Sequence, residues 1–429
     1  MTAERKDPSK LLDGLTAPQR EAVTHGDAPL LVLAGPGSGK TRVITHRAAW
    51  LARTVTEPRH VLAITFTNKA AEEMAQRIAA LDVGAEMTVC TFHSFCARLL
   101  RRFADRAGIT ASFSIFDQAD RVAAIKDALK RADFAEANFP PARIEARISR
   151  LKNAMRSPAD AQRDGGGYEQ EIIAQVYAAY EEVLAAQNAL DFDDLLLRAA
   201  RLLGEDAELR AKLEDQYRYV LVDEYQDTNH AQYLIARGLA LQHHRLCVTG
   251  DPDQSIYGWR GANLNNILEF EEDFPDAKVV RLEQNYRSTK HILAAADRVI
   301  RRNRDRKKKT LWTENPEGAP VRVVECEDAE AEAGFIAEQI TEAVASGAAL
   351  KEIAIFYRIN ALTRLLEGAL RQNGIPYRII RGVEFYRRKE IKDLVAYLRV
   401  LINPDDETAL LRIINTPARG IGQTTVERL

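Results

Sequence analysis

Lys40 and Thr41 stand directly behind a glycine-rich turn, Gly35-Pro36-Gly37-Ser38-Gly39, which itself follows the apolar run Leu30 to Leu33. A buried strand, a glycine loop, Lys-Thr and a helix-forming segment in that order make up a phosphate-binding P-loop. The glycines let backbone N–H groups approach phosphate oxygens with no Cβ in the way. A helix N-terminus behind them adds partial positive charge. Lys40 would reach the β- and γ-phosphates of a nucleotide such as ATP, and the Thr41 hydroxyl would hold Mg²⁺. The motif pattern opens on glycine; here that place is Ala34, small enough to fit because the loop uses backbone donors there.

Two acids come next in importance. In RYVLVDEYQDTN, Arg218 to Asn229, the run Tyr219 to Val222 reads as a buried strand with Asp223 and Glu224 at its exit. A strand-terminal Asp in such proteins holds the Mg²⁺. Glu224 beside it is placed to polarise an attacking water as general base. Gln254, at the polar tip after the strand that starts at Arg245, is a candidate sensor of the γ-phosphate. In VVRLEQNYRS, Val279 to Ser288, Tyr286 could stack on adenine, and Arg287 could neutralise charge on the transferring phosphoryl group. Gln19, in LTAPQREAV, has two readings. It lies three residues after Thr16, as in a capping box, and it could also read the edge of adenine.

A third set suits unpaired bases. Tyr257-Gly258-Trp259-Arg260 has two aromatics and an arginine in four residues and follows neither a strand nor a helix period. A surface platform stacking bases explains it better than a packed loop does. Phe66, at the end of the strand His60 to Thr67, is either core or a stacking residue. His93, in the polar cluster Thr91 to Ser94, reads locally as structural, and Phe192 in DFDDLLLRAARLL has only a weak local claim to stacking.

These residues need a scaffold, and 429 residues suffice for two to four domains. A composition 46% hydrophobic and 28% charged is that of an ordinary globular chain. The net charge of −2 leaves polyanion binding to local patches. The four cysteines lack CxxC or zinc-ligand spacing, which fits a reduced cytoplasm. The N-terminal MTAERKDPSK is polar and lacks a signal h-region, and no apolar run nears the roughly 18 residues a membrane span needs. Strands alternating with helices give an α/β class. From Phe113 to about Leu190 the period turns helical, with Val122, Ile125 and Leu129 on one face and Ile144, Ile148 and Leu151 on another. Arg143, Arg147, Arg150 and Lys152 there could track phosphates but read better as a solvated face. For the basic run Arg298 to Lys309 a solvated charge run is the default, with a phosphate contact as the minor reading. From Pro320 the strand–helix rhythm restarts, with strands expected at Val321–Val324, Ile353–Tyr357 and Ile375–Ile380.

Seven stretches in order, LTAPQREAV, AGPGSGKT, ITFTNKAAEEM, TFHSF, LVDEYQDTN, GDPDQSIYGWRGA and LEQNYRS, resemble the UvrD/PcrA/Rep group of superfamily-one DNA helicases, from about Leu15 to Leu429. The resemblance implies two RecA-like parallel-sheet motor domains, the second incomplete, with helical insertions and ATP between the sheets. Residues 1–14 would be a disordered lead, 15–112 and 191–281 the first motor domain, and 113–190 a helical insertion. Residues 282–390 would begin the second motor domain and 391–429 a second insertion. By the same resemblance Gln19, Arg42 and Tyr286 surround adenine, and Lys40, Thr41 and Asp223 hold phosphates and Mg²⁺. Glu224 is the base, and Gln254 and Arg287 contact the γ-phosphate. Phe66, His93, Phe192, Tyr257, Trp259, Arg260, Arg358 and Asn360 lie along single-stranded DNA.

The implied activity is an ATP-dependent 3′-to-5′ helicase or translocase, cytoplasmic, in DNA repair or replication. It would work on single strands and on junctions with a 3′ tail, with repair proteins as partners. Later family motifs do not occur, so an N-terminal fragment is expected. A single-strand-binding module with a vestigial ATPase, a P-loop kinase or nucleotide switch, and an RNA helicase are the competing readings.

Overall fold

The computed structural model describes residues 7–83, 86–136, 138–258, 261–304, 306–380 and 388–426, without the side chains of residues 360 and 423. They fall into two units, 7–318 with 393–426, and 319–392.

The first unit is built on six parallel strands. They are β1 (Leu30–Ala34), β2 (Val61–Thr65), β3 (Thr88–Thr91), β6 (Tyr219–Val222), β7 (Leu246–Gly250) and β8 (Lys278–Leu282), in the order β3-β2-β6-β7-β1-β8. All the pairings are parallel, for example Leu31 with Val248 and Val279, and Ile64 with Val222 and Cys90. β1, β2 and β6 are buried along their whole length, as a sheet covered on both faces requires. Alternate side chains go to opposite faces. Leu30, Val32 and Ala34 pack with Val43, Ile44 and Ala48 of α2 (Lys40–Thr54) and with Met74 and Ile78 of α3 (Asn68–Ala80). Leu31 and Leu33 share the other core with Phe95 and Leu99 of α4 (Phe92–Arg102), Leu196 and Ala199 of α9 (Phe192–Glu205), and Ile235 of α11 (His230–Gly238). Each fully buried Leu or Ile contributes roughly 1.5–3 kcal/mol.

α1 (Ala17–Thr24) is fastened at its end by Arg47 of α2, a buried guanidinium that donates to the carbonyls of Ala22 at 3.1 Å and His25 at 2.7 Å. Before it, Pro8–Leu12 forms a 3-10 turn with Leu11 in the core, and His46 Nδ1 lies 2.8 Å from the Leu11 carbonyl. That stretch was expected to be a disordered lead. One buried leucine and one carbonyl contact order it.

Between β3 and β6 sit α5 (Gln118–Arg131), α6 (Pro141–Asn153), α7 (Pro158–Arg163) and α8 (Tyr168–Ala186), with a third core of Ile125, Leu129, Ile144, Ile148, Tyr177 and Tyr180. The helical faces fall where the sequence period puts them. Two short strands not foreseen there, β4 (Ser114–Phe116) and β5 (Ala189–Asp191), pair in parallel where the chain leaves and re-enters this bundle.

Two readings of charge need correction. Lys152 is not on a solvated face: it is fully buried, with its ammonium 2.6 Å from Asp194 Oδ1, 2.7 Å from Glu181 Oε1 and 3.0 Å from Asp191 Oδ2. The basic run is not wholly solvated either. Arg306 lies 2.8 Å from Asp253, and Lys309, only 4% exposed, pairs with Asp251 and Asp253. Period and charge density locate such residues on a face; only the carboxylates opposite decide that they are buried.

The second unit carries α15 (Ala329–Ala345) and α16 (Thr363–Gln372), which pack against one another. The strands expected at 321–324, 353–357 and 375–380 do not form among the described residues. Apolar alternation makes a segment suitable for a sheet, but a strand exists only through a neighbour's hydrogen bonds. Val323 and Phe356 are almost fully exposed. Among the described residues no helix is long and apolar enough to cross a membrane.

The Lys152 cluster yields a test. Truncating one partner of a buried ion set leaves the others uncompensated, at a cost of about 3–5 kcal/mol. Lys152→Ala should therefore lower the unfolding free energy extrapolated from a urea titration by an amount in that range. A loss within error of zero would contradict the assignment of that ammonium as the neutralising charge.

Candidate functional site

The P-loop closes over the C-terminal end of β1. Gly37 has φ +65° and Gly39 φ +93°, conformations that side chains rarely adopt. At Gly37 there is also no room, since a Cβ would lie 2.6 Å from Arg287 Cβ. Ser38 Oγ donates to the Gly35 carbonyl at 2.7 Å and braces the turn. Gln19 uses both ends of its amide: Oε1 accepts from Thr16 N at 3.1 Å and Nε2 donates to the Ser38 carbonyl at 3.0 Å. It thus makes the side-chain half of the capping box and also ties α1 to the loop. Arg42 donates to the Asp13 carbonyl at 3.4 Å.

Lys40 reaches across to the other strand end, its Nζ 2.7 Å from Glu224 Oε2. Burial works against the Glu224 carboxylate, yet the Lys40 charge and the Gln226 amide hold its pKa below the ordinary value. Glu224 has φ 52° and ψ 43°. A left-handed backbone at a non-glycine residue costs on the order of 1–3 kcal/mol and marks sites where geometry is held for a purpose. Asp223 is fully buried; burial first, and then the Glu224 charge, push its carboxyl up, although the Thr249 hydroxyl donates to it. Two carboxyls thus face one ammonium. That surplus of negative charge at the strand end, with a hydroxyl residue next to Lys40 in the chain, is a donor set that suits a divalent cation.

Three residues that the sequence did not single out join these parts. Gln226 donates to Glu224 Oε2 at 2.8 Å, while its Oε1 accepts from Asp251 N at 3.0 Å. Asp251 in turn accepts from Gln254 Nε2 at 2.6 Å. Glu224 is therefore linked to Gln254 through the Gln226 amide and then Asp251. Asn285, buried, donates to the Pro36 carbonyl at 2.6 Å and accepts from the backbone N of Arg287 at 2.9 Å and of Ser288 at 2.7 Å. Tyr286 N donates to the Gly37 carbonyl at 2.9 Å. This stitching sets Arg287 against the loop. Lys309 is the third, through its pairing with Asp251. Gln226 and Asn285 lie inside the stretches already read as motifs, which is the signal that could have found them.

The aromatic candidates come in pairs. The Phe66 and Tyr257 rings are 5.1 Å apart and tilted by 32°; those of His93 and Phe192 are 5.8 Å apart and nearly perpendicular. Both pairs begin at C-terminal strand ends, after β2 and β3, on the side of the sheet that carries the P-loop. Phe192 is 43% exposed although it opens a core helix. Burial holds the His93 imidazole below its ordinary pKa against the pull of Asp193. Trp259 and Arg260 lie outside the described residues, as does the side chain of Asn360; Arg358 is exposed in the second unit.

A parallel sheet with a P-loop after one strand and an Asp-Glu pair after another defines a P-loop α/β protein. Residues 15–275 match the family model of the UvrD/REP helicase N-terminal domain, and residues 280–429 that of the UvrD-like helicase C-terminal domain. The chain is 47% identical over 425 residues to the ATP-dependent DNA helicase PcrA of Bacillus subtilis (strain 168), covering 98% of this chain and 58% of the relative. It is 47% identical over 423 residues to the PcrA helicase of Staphylococcus epidermidis and 46% over 422 to that of Staphylococcus aureus, with the same coverage. The chain belongs to the UvrD-like helicase family. It spans 58% of the length of these curated relatives.

Asp227 gives this site a pH signature. Burial and the Glu224 charge push its carboxyl up to about 6 from 3.8. The folded state then binds that proton more tightly than the unfolded chain, so its stability falls as pH rises through the interval between the two values. Asp227→Asn cannot titrate. By urea unfolding, it should gain stability relative to wild type on going from about pH 4.5 to about pH 7.5. A difference that is equal at both would contradict the assignment.

Proposed function

We propose that this chain is the motor part of an ATP-dependent DNA helicase that moves 3′ to 5′ along single-stranded DNA. Its first motor domain would comprise 15–112 and 191–281, interrupted by the helical bundle 113–190. The observation that carries the reading is the link from Lys40 through Glu224, Gln226 and Asp251 to Gln254, which ends three residues before Tyr257.

In this reading Lys40 leaves Glu224 for the phosphates of ATP, and the freed carboxylate takes the proton of the attacking water. Thr41 and Asp223 would hold Mg²⁺, which supplies charge neutralisation at the phosphates. Gln19, Arg42 and Tyr286 would receive the adenine, and Arg287 would meet the transferring phosphoryl group. Gln226 loses or keeps its bond to Glu224 with nucleotide state, and Asp251 and Gln254 pass that change to the Tyr257 loop. Phe66, His93, Phe192 and Tyr257, with Trp259, Arg260, Arg358 and Asn360, would stack or track the strand, at roughly 1–3 kcal/mol for each stacked base.

The test is phosphate release with and without single-stranded DNA. The strand should stimulate the wild type, and Lys40→Ala and Glu224→Gln should each lower the stimulated rate by on the order of 10²-fold or more. A wild type indifferent to the strand would overturn the reading. A strand-displacement assay on a 3′-tailed duplex then asks for polarity, with a 5′-tailed duplex as the control expected to stay intact.

A further inference from the structure

One amide lies where three functional segments meet. Asn153 is the last residue of α6 in the helical bundle. Its Oδ1 accepts a hydrogen bond from Asn229 Nδ2. Its Nδ2 donates to Asp193 Oδ1 at 3.0 Å and to the Ser149 carbonyl at 2.7 Å. A Cβ built on Gly261 would touch Asn153 Cβ at 3.5 Å, so the backbone at Gly261 runs against the same side chain.

Each neighbour has a place in the proposed cycle. Asn229 ends the acidic segment that starts at Asp223, and caps α11 through Oδ1, which receives Gln232 N at 2.9 Å. Asp193 follows Phe192 and is held by Arg121 at 3.0 Å, which also pairs with Glu145. The position of Asn153 is fixed from behind. Lys152 beside it is anchored in the buried carboxylate cluster, and Met155 just beyond has φ 60°, a sharp reversal after the helix. The amide therefore receives on the Asn229 side and gives on the Asp193 side. The two ends are chemically different, so a shift of the acidic segment that is not followed by Asp193 breaks one bond or the other. Contiguous hydrogen-bond networks of this kind are one route by which coupling travels between sites.

We propose that Asn153 is a positioning residue that carries movement of the acidic segment to Phe192, so that ATP turnover at Glu224 changes the grip on the strand. The inference rests on the function proposed above. It makes the bundle part of the transmission between nucleotide and strand, not an ornament on the motor domain.

The experiment is steady-state ATP hydrolysis by the full chain against increasing oligo-thymidylate. Wild type is compared with Asn153→Ala and Asn229→Asp. The second variant keeps an oxygen to cap α11 but loses the donor to Asn153. Both should retain the strand-free rate and the apparent KM for the oligonucleotide within about twofold, while the stimulated kcat falls about tenfold. An unchanged stimulated kcat overturns the proposal. So does an equal fall with and without the strand, which marks damage to the ATP site, or a change confined to KM, which marks a direct strand contact. If Asn153→Ala lowers the melting temperature, Asn229→Asp decides. A wild type that the strand does not stimulate removes the function reading and this proposal together; a stimulated wild type beside unaffected variants removes this proposal alone.

Discussion

Lys40 and Glu224 are 184 residues apart in sequence and 2.7 Å apart in space. The rest of the first unit exists to make that distance reproducible. β1 delivers the lysine through a loop that only glycine can turn at Gly37, and β6 delivers the acid two places along the sheet, with β7 between them. Parallel strands put both on one edge. The two cores clamp the sheet from either side, so neither end can drift without unpacking Leu31, Leu33, Val32 or Val43. In the proposed cycle the ion pair would hold Glu224 deprotonated until phosphates compete for Lys40. Its pKa, below the ordinary value despite burial, is the electrostatic expression of that wait.

Around this pair the polar side chains form a chain of hydrogen bonds. Gln226, Asp251 and Gln254 lead in one direction; Asn229, Asn153 and Asp193 lead in another. Nearly all of these side chains are buried or half-buried, and unpaired polar groups in such surroundings are costly. In the proposed cycle a change of partner at Glu224 would be passed along these bonds. Lys309 and Arg306, set on Asp251 and Asp253, neutralise the acids that this arrangement accumulates.

What the sequence disclosed follows from how local the chemistry is. The P-loop, the Asp223-Glu224 pair, the strands β1, β2, β6 and β7 and the faces of α5 and α6 were legible, because each is set by residues a few positions apart. Lys152 and Lys309 were misread as solvated because their carboxylate partners lie as little as 29 residues away (Lys152 to Glu181) and as much as 58 (Lys309 to Asp251) in sequence. Gln226, Asn285 and Asn153 were passed over for the same reason: an amide has no signature until its partners are in place. The three segments expected as strands in the second unit show the converse limit, since a suitable pattern does not supply a pairing partner.

If nucleotide state and strand grip are one system, each must alter the affinity of the other by the same factor. The direct measurement is the dissociation constant of a fluorescent oligo-thymidylate, by anisotropy, with and without a non-hydrolysable ATP analogue. A shift of about fivefold or more is predicted for the wild type. The shift should vanish in Lys40→Ala, which cannot exchange Glu224 for phosphate. Identical constants with and without the analogue would contradict the account at its centre.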